Sequence, residues 1–229
     1  MSKADGPLAA DRARALALTP VSRETLARLD RFVELLLTWQ KATNLIAPST
    51  VPHLWTRHVA DSLQILELAP EARVWIDLGA GGGFPGLAVA CALVGRPGAV
   101  VHLVESNAKK AAFLREAQRL TGAPVVVHAE RIERFIQHCR GPVDVVMARA
   151  LAPLFGLLAL SFPLLDRKGV LGLFMKGRDA EAELRDAAKS WRMDVTLIPS
   201  RTDPHGRIVA VRGVAVAPTA NAVGQTDKK

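Results

Sequence analysis

The stretch WIDLGAGGGFPG, Trp75 to Gly86, holds five glycines in eight positions between two apolar runs. Glycine takes backbone angles other residues refuse and lets a ligand touch the main chain. A loop carrying Gly79, Gly81 and Gly83 therefore either binds a ligand by its backbone or merely turns the chain. Asp77 opens the loop. Its carboxylate would crowd a pyrophosphate, but it suits a ligand with a cationic aminoacyl end. Pro85 removes a backbone N–H from the start of the following helix, where a pyrophosphate would need a donor. Glu105 closes the next apolar run, VVHLVES, where a carboxylate can accept both hydroxyls of an adenosine ribose.

Two glycine patterns overlap here. Gly81, Gly83 and Gly86 fit the G-x-G-x-x-G of dinucleotide sites. Asp77, Gly79, Gly81 and Gly83 fit the D-x-G-x-G-x-G of adenosylmethionine-dependent methyltransferases. Asp77 and Pro85 favour the second pattern. Glu105 serves either.

These residues need a scaffold, and the hydrophobic pattern predicts one. Apolar runs near 73–78, 100–104, 124–128, 143–147 and 169–175 read as strands. Helical patterns lie between them, at about 86–94, 107–121, 131–139 and 152–164. This alternation means a parallel sheet covered on both faces. A helix at about 178–190 is followed by MDVTLIPS and GRIVAVRGVAV, joined by a polar turn, which predicts an antiparallel pair at one edge. Ahead of the sheet, Ser22 caps a helix running to about Lys41, with Leu26, Leu29, Val33, Leu36 and Leu37 on one face. A second helix spans Arg57 to Leu68. Residues 1–20 read either as partial helix or as frayed chain. The expected division is a helical N-terminal extension (1–71), a sheet domain (72–216) and a disordered tail (217–229).

The 229 residues carry a net charge of +8 and 49% hydrophobic residues, enough for a real core. The charge favours a polyanionic partner such as nucleic acid, although a basic soluble protein needs no such partner. Aromatic residues are only 5%, with no Tyr, so a stacking platform for single strands is not evident. Cys91 and Cys139 form no C-x-x-C pair, and no Cys/His cluster has metal spacing. Signal-peptide and membrane-spanning patterns are absent, which predicts a cytoplasmic protein with no membrane partner.

RHVADSLQI (57–65), DLGAGGGFPGLAVA (77–90), VESNAKKAAFL (104–114), AERIERF (129–135), ARAL (148–151) and MKG (175–177) occur in this order. Together they resemble the bacterial 16S rRNA guanine-N7 methyltransferases, the glucose-inhibited division protein B family, over about residues 22–213. The resemblance implies a Rossmann-like α/β fold, the seven-stranded adenosylmethionine-dependent methyltransferase sheet with a helical N-terminal extension. It implies S-adenosyl-L-methionine as methyl donor and, as acceptor, N7 of a guanine in the decoding-region (530) loop of 16S rRNA, family position 527. The partner would be 16S rRNA or the small ribosomal subunit, met by a monomer. Carried over position by position, Gly79 and Phe84 match the loop positions that touch the donor, although many members have Leu where Phe84 stands; Asp77, Gly81 and Gly83 join them as donor-loop candidates through the glycine pattern, Glu105 matches the ribose-binding acid, and Ile132 and Glu133 the positions that reach the adenine. Arg149 matches an active-site arginine, placed both in catalysis and beside the donor. One departure is DPHGRIVAV (203–211), since many members carry an arginine followed by a histidine where Gly206-Arg207 stands.

N7 of guanine has a free lone pair at neutral pH and needs no general base. No Asn-Pro-Pro-Tyr-like motif follows the fourth strand and no catalytic Cys pair is present, which fits an N7 acceptor. Arg149 would then hold a phosphate or the guanine O6. Arg57, His58, Lys109, Lys110, Lys176 and Arg207 are candidates to track RNA phosphates, against the plain reading of a solvated basic face. Arg57 and Asp61, four apart, either form an intrahelical ion pair or belong to a polar face that closes over the donor. Three other readings remain open: an NAD-dependent oxidoreductase, a methyltransferase for another RNA, a small molecule or a protein, and a non-catalytic RNA-binding assembly factor.

Overall fold

The computed structural model describes residues 6–218. Its centre is a seven-stranded sheet, order β3-β2-β1-β4-β5-β7-β6. Strands β1 (Val74–Leu78), β2 (Val100–Val104), β3 (Val125–His128), β4 (Val145–Arg149) and β5 (Leu171–Lys176) run parallel. The last two, β6 (Trp191–Pro199) and β7 (Arg207–Val216), form the expected edge pair, with β7 antiparallel to both β5 and β6. Ligands of such sheets sit outside the carboxyl ends of the strands, where the order reverses. Here that point lies between β1 and β4.

The central strands β1, β4 and β5 bury both faces, and the two-residue side-chain period divides them. Trp75, Val101, Leu103, Met147 and Leu173 face one way, against α2 (Arg23–Gln40), α4 (Gly86–Ala92) and α5 (Ala108–Thr121). Ile76, Leu78, Val104, Val146 and Phe174 face α6 (Ile132–His138), α7 (Leu154–Leu165) and α8 (Ala180–Ala187). The expected helices are therefore present, displaced by at most three residues at their ends.

Local chemistry accounts for where several helices start and stop. Ser22 Oγ accepts the Thr25 N–H and caps α2. Asn107 Oδ1 accepts from Lys109 and Lys110 N–H and caps α5, which ends on Gly122 at φ +63°. Part of residues 1–20 is helical, as α1 (Pro7–Leu18). The segment expected as one helix from Arg57 is longer and irregular: a π turn at Trp55–Ala60, a short α3 (Asp61–Leu63) and a 3-10 turn at Gln64–Leu68. Its N-terminus is capped from α1: buried Asp11 accepts the N–H groups of Trp55 and Thr56 through Oδ2, at 2.8 and 3.1 Å.

The N-terminal helices share the core of the sheet. Leu29, Phe32, Val33 and Leu36 of α2 are at most 3% exposed, each such side chain being worth about 1.5–3 kcal/mol of burial. Phe32 packs at 5.0 Å from the Phe84 ring and 6.2 Å from Phe113. It also lies where a side chain on Gly83 would go, its Cζ 2.9 Å from that ideal Cβ. The extension thus braces the glycine loop directly. Residues 219–229, most of the expected tail, lie outside the described residues.

Candidate active site

A cavity of about 530 Å³ opens at the carboxyl ends of the parallel strands. The glycine loop forms one wall, from Gly79 to Gly82 with Phe84. The Trp55–Leu68 segment supplies Arg57, His58 and Asp61. Strand ends supply Arg149 and Lys176, and the β6–β7 loop supplies Ser200, Thr202 and Asp203.

The loop is bare for two different reasons. Gly79, Gly81 and Gly83 have φ of +75°, +52° and +87°, a region L side chains rarely enter. Gly82 has no such angle, but its Cβ would lie 2.8 Å from the Leu45 carbonyl oxygen. That carbonyl cannot yield easily, since Gln40 holds the adjoining chain through Leu45 N–H, Ile46 N–H and Ile46 O. At the end of β4, Ala150 takes a left-handed φ of +51°, the only non-glycine residue among those described to do so. The turn brings Leu151 over Gly79.

Asp77 does not line the cavity. It is 1% exposed, its Oδ2 accepts the Gly86 N–H at 2.8 Å, and its Oδ1 has no partner among the described residues. Burial pushes its carboxyl up to about 7, against the Gly86 hydrogen bond and the Arg149 charge, which lower it. Asp77 ties β1 to the start of α4 through this bond. Glu105 is half-buried and pins the loop: Oε2 accepts Gly81 N–H at 2.9 Å and Oε1 accepts Asn107 N–H at 2.7 Å. Both oxygens keep lone pairs for further donors. Ile132 and Glu133 open α6 past the end of β3 and stand outside this cavity.

Arg149 is the hub. Its Nη1 donates to the Arg57 carbonyl at 3.0 Å, and its Nη2 lies 2.6 Å from His58 Nδ1. Its guanidinium stands 5.4 Å from the Phe84 ring centre and its Nη1 3.7 Å from Asp61 Oδ2. Arginine only donates, so His58 Nδ1 must accept, leaving Nε2–H for Thr50 Oγ1 at 2.8 Å. Burial, then the Arg149 and Arg57 charges, push His58 down to about 3, so the imidazole is neutral. It cannot serve as a cation for phosphate. Asp61 is nearly buried and its carboxyl is raised by burial, opposed by Thr202, Arg149, Ser200 and Arg57.

The other basic candidates fall into distinct groups. Arg57 pairs with Asp203 at 3.1 Å, not with Asp61 as an intrahelical pair would. Lys176 is 9% exposed and committed to Glu183 at 2.6 Å and the Ala152 carbonyl at 2.8 Å. Lys110 reaches the cavity wall, whereas Lys109 is exposed outside it. Arg207 lines the cavity and donates to the Pro204 and Gly206 carbonyls. Thr50, Ser200, Thr202 and Glu183 belong to the site without any local sequence signal, and the Asp61 that Ser200 and Thr202 hold lies 139 and 141 residues away.

Among the described residues, no group of three or more His, Cys, Asp or Glu could hold a metal ion, and no helix is long and apolar enough to cross a membrane. The site does suit an adenosylmethionine-like donor. It offers a bare glycine loop at the carboxyl end of β1, with the Glu105 carboxylate pinned to that loop through the Gly81 N–H.

Comparison with known proteins agrees. Over 89% of this chain, it is 61% identical to the ribosomal RNA small subunit methyltransferase G of Bradyrhizobium sp. strain BTAi1, covering 91% of that protein. It is 56% identical to the protein of that name from Rhodopseudomonas palustris strain BisB18, over 90% of this chain and 88% of the relative. Among solved structures, an O-methyltransferase of Bacillus cereus in complex with SAH matches with a TM-score of 0.58 at 15% identity, over 89% of this chain and 97% of that one. A putative O-methyltransferase of Klebsiella pneumoniae gives the same score, over 90% and 97%. At that identity these two speak for the fold alone, the Rossmann-like methyltransferase sheet. The family model of rRNA small subunit methyltransferase G matches residues 25–208. The chain therefore belongs to the rRNA small subunit methyltransferase G family.

Proposed function

We propose that the protein transfers a methyl group from S-adenosyl-L-methionine to N7 of a guanine in the 530 loop of 16S rRNA, family position 527. The observation that carries the atom is the state of His58. Its Nδ1 is taken by Arg149 and its Nε2–H by Thr50, and it stays neutral, so the cavity's imidazole is not free to remove a proton. An acceptor that needs no deprotonation suits such a site, and guanine N7 is one. When bound, the donor supplies an electrophilic methyl group on a sulfonium. Glu105 would hold its ribose hydroxyls, the Gly79–Gly81 backbone its aminoacyl end, and the start of α6 at Ile132 and Glu133 its adenine. The protein's own contribution is then positioning and electrostatics.

The net charge of +8 supports an RNA substrate. Arg57, Lys110 and Arg207, which line the cavity, and the exposed Lys109 would meet the RNA phosphates. Arg149 acts mainly on His58 and Asp61 in this reading, and less on a phosphate. Residues 1–71 serve as the extension that closes the site, and the protein works as a cytoplasmic monomer on 16S rRNA or the small subunit.

The test uses labelled donor with unmodified small subunits, naked 16S rRNA and a small-molecule extract, followed by chemical cleavage at N7-methylguanine. A single cleavage in the 530 loop is expected. Label in RNA without that cleavage would move the atom or the position. No label despite tight donor binding would favour a non-catalytic assembly factor.

A further inference from the structure

Asp61 is fixed through one carboxylate oxygen and faces the Arg149 guanidinium with the other. Its Oδ1 accepts from Thr202 Oγ1 at 2.7 Å, Gln64 Nε2 at 2.8 Å and Ser200 Oγ at 3.2 Å. These donors come from its own helical segment and from the β6–β7 loop, so the carboxylate is fixed from two sides. Its Oδ2 makes no hydrogen bond within the described chain. The nearest cation, Arg149 Nη1, is 3.7 Å away and donates to the Arg57 carbonyl instead. The two other carboxylates on the cavity wall are spent differently. Asp203 uses Oδ2 on Arg57 and Oδ1 on the His205 N–H, and Glu183 is neutralised by Lys176 at 2.6 Å.

A fixed acceptor with one free oxygen, opening on the methyl-transfer cavity, matches one edge of one base. Guanine alone among the purines of RNA presents two adjacent donors, N1–H and the 2-amino group, on its Watson–Crick edge. Adenine presents an acceptor at N1 and would meet the carboxylate oxygen with a lone pair. Enzymes that act on an extruded base read it by that edge, and a mismatch that leaves a buried polar group unpaired is rejected strongly.

We propose that Asp61 Oδ2 is the guanine-reading group of this site, accepting from the N1–H and 2-amino edge of the target base. This rests on guanine N7 as acceptor. The same contact aids the reaction. As the N7–C bond forms and the S–C bond breaks, the purine becomes cationic, and its N1–H becomes a stronger donor. The hydrogen bond to Asp61 is then tighter in the transition state than in the ground state, which raises turnover as well as selectivity. Arg149 leaves room for this, because its charge offsets that of Asp61 in the free enzyme without occupying Oδ2.

The test compares 16S rRNA carrying guanosine at the target position with the same RNA carrying inosine there, which keeps N7, O6 and N1–H and lacks only the 2-amino group. Both are presented in reconstituted small subunits to the wild-type protein and to Asp61→Asn. Asparagine can still accept from Thr202, Ser200 and Gln64, but can place an N–H₂ where Oδ2 stood. The wild type is expected to prefer guanosine by about tenfold or more in kcat/KM, the worth of one hydrogen bond to a charged acceptor. Asp61→Asn should lose at least about tenfold in kcat on guanosine, keep its donor affinity within about twofold, and show a guanosine preference near unity. An unchanged preference in the variant overturns the assignment, as does a parallel loss of donor binding. Should the variant fail to fold, the wild type decides alone: equal rates on guanosine and inosine overturn the proposal. Wild-type protein that leaves the guanosine RNA unmethylated at N7 would instead overturn the underlying reading of the reaction.

Discussion

Replacing Asp77 by Asn tests the buried tie beneath the glycine loop. Asp77 is 1% exposed, with one oxygen on Gly86 N–H and the other without a partner among the described residues. Burial raises its carboxyl from an ordinary 3.8 to about 7. A folded-state value above the unfolded one means that, between pH 4 and 7, the native protein holds a proton the unfolded chain has released. Stability from this group is therefore fully present below about pH 4 and is lost as pH rises towards 7. The gap of about three pH units, at about 1.4 kcal/mol each, sets a ceiling of roughly 4 kcal/mol. Relaxation of the surroundings reduces this to about 2–4 kcal/mol. Asn keeps an acceptor for Gly86 and cannot ionise. Urea unfolding followed by tryptophan fluorescence should find the two proteins within about 1 kcal/mol near pH 3.5, where the carboxyl is largely neutral in the folded and the unfolded chain alike. At pH 8.5 the Asn variant should be more stable by about 2–4 kcal/mol. A difference independent of pH, or an Asn variant weaker at pH 8.5, would refute the reasoning and mean that the charged carboxylate has a compensating partner.

Gly82→Ala places a Cβ 2.8 Å from the Leu45 carbonyl that Gln40 holds in place, so stability should fall by about 1–3 kcal/mol. Adenosylmethionine affinity, measured by calorimetry, should fall with it, and unchanged values would show that the Leu45 segment yields freely. Arg149→Lys replaces a planar fork by one ammonium, which cannot serve the Arg57 carbonyl and His58 at once. Methyl transfer should drop at least about tenfold and stability by about 2–3 kcal/mol, below the usual cost of breaking a fully buried pair because the side chain is 17% exposed. Lys176→Met strands Glu183 and should cost about 2–4 kcal/mol, whereas Lys176→Met with Glu183→Leu should recover part of that loss in a double-mutant cycle. Strict additivity would mean the pair is not coupled.

The repeating pattern of apolar runs and helical stretches was enough to read a covered parallel sheet with an antiparallel edge, because a side-chain period of two or 3.6 is a local property. The same holds for the caps at Ser22 and Asn107 and for the glycine loop after β1. Ordered short motifs also pointed to the family and to Glu105 and Arg149. What the chain did not disclose locally is who partners whom. Asp11 caps a helix 44 residues on, Ser200 and Thr202 fix Asp61 across about 140 residues, and Arg57 pairs with Asp203 and not with its helical neighbour. Burial is likewise a tertiary property. It commits Asp77 to the Gly86 N–H, leaves His58 neutral and commits Lys176 to Glu183, although by residue type alone each reads as a charge available to a ligand or to RNA. Residue type and spacing determine which groups the site can contain. Which of them remain charged, and which oxygen is left free to meet a substrate, depends on neighbours that only the folded chain brings together.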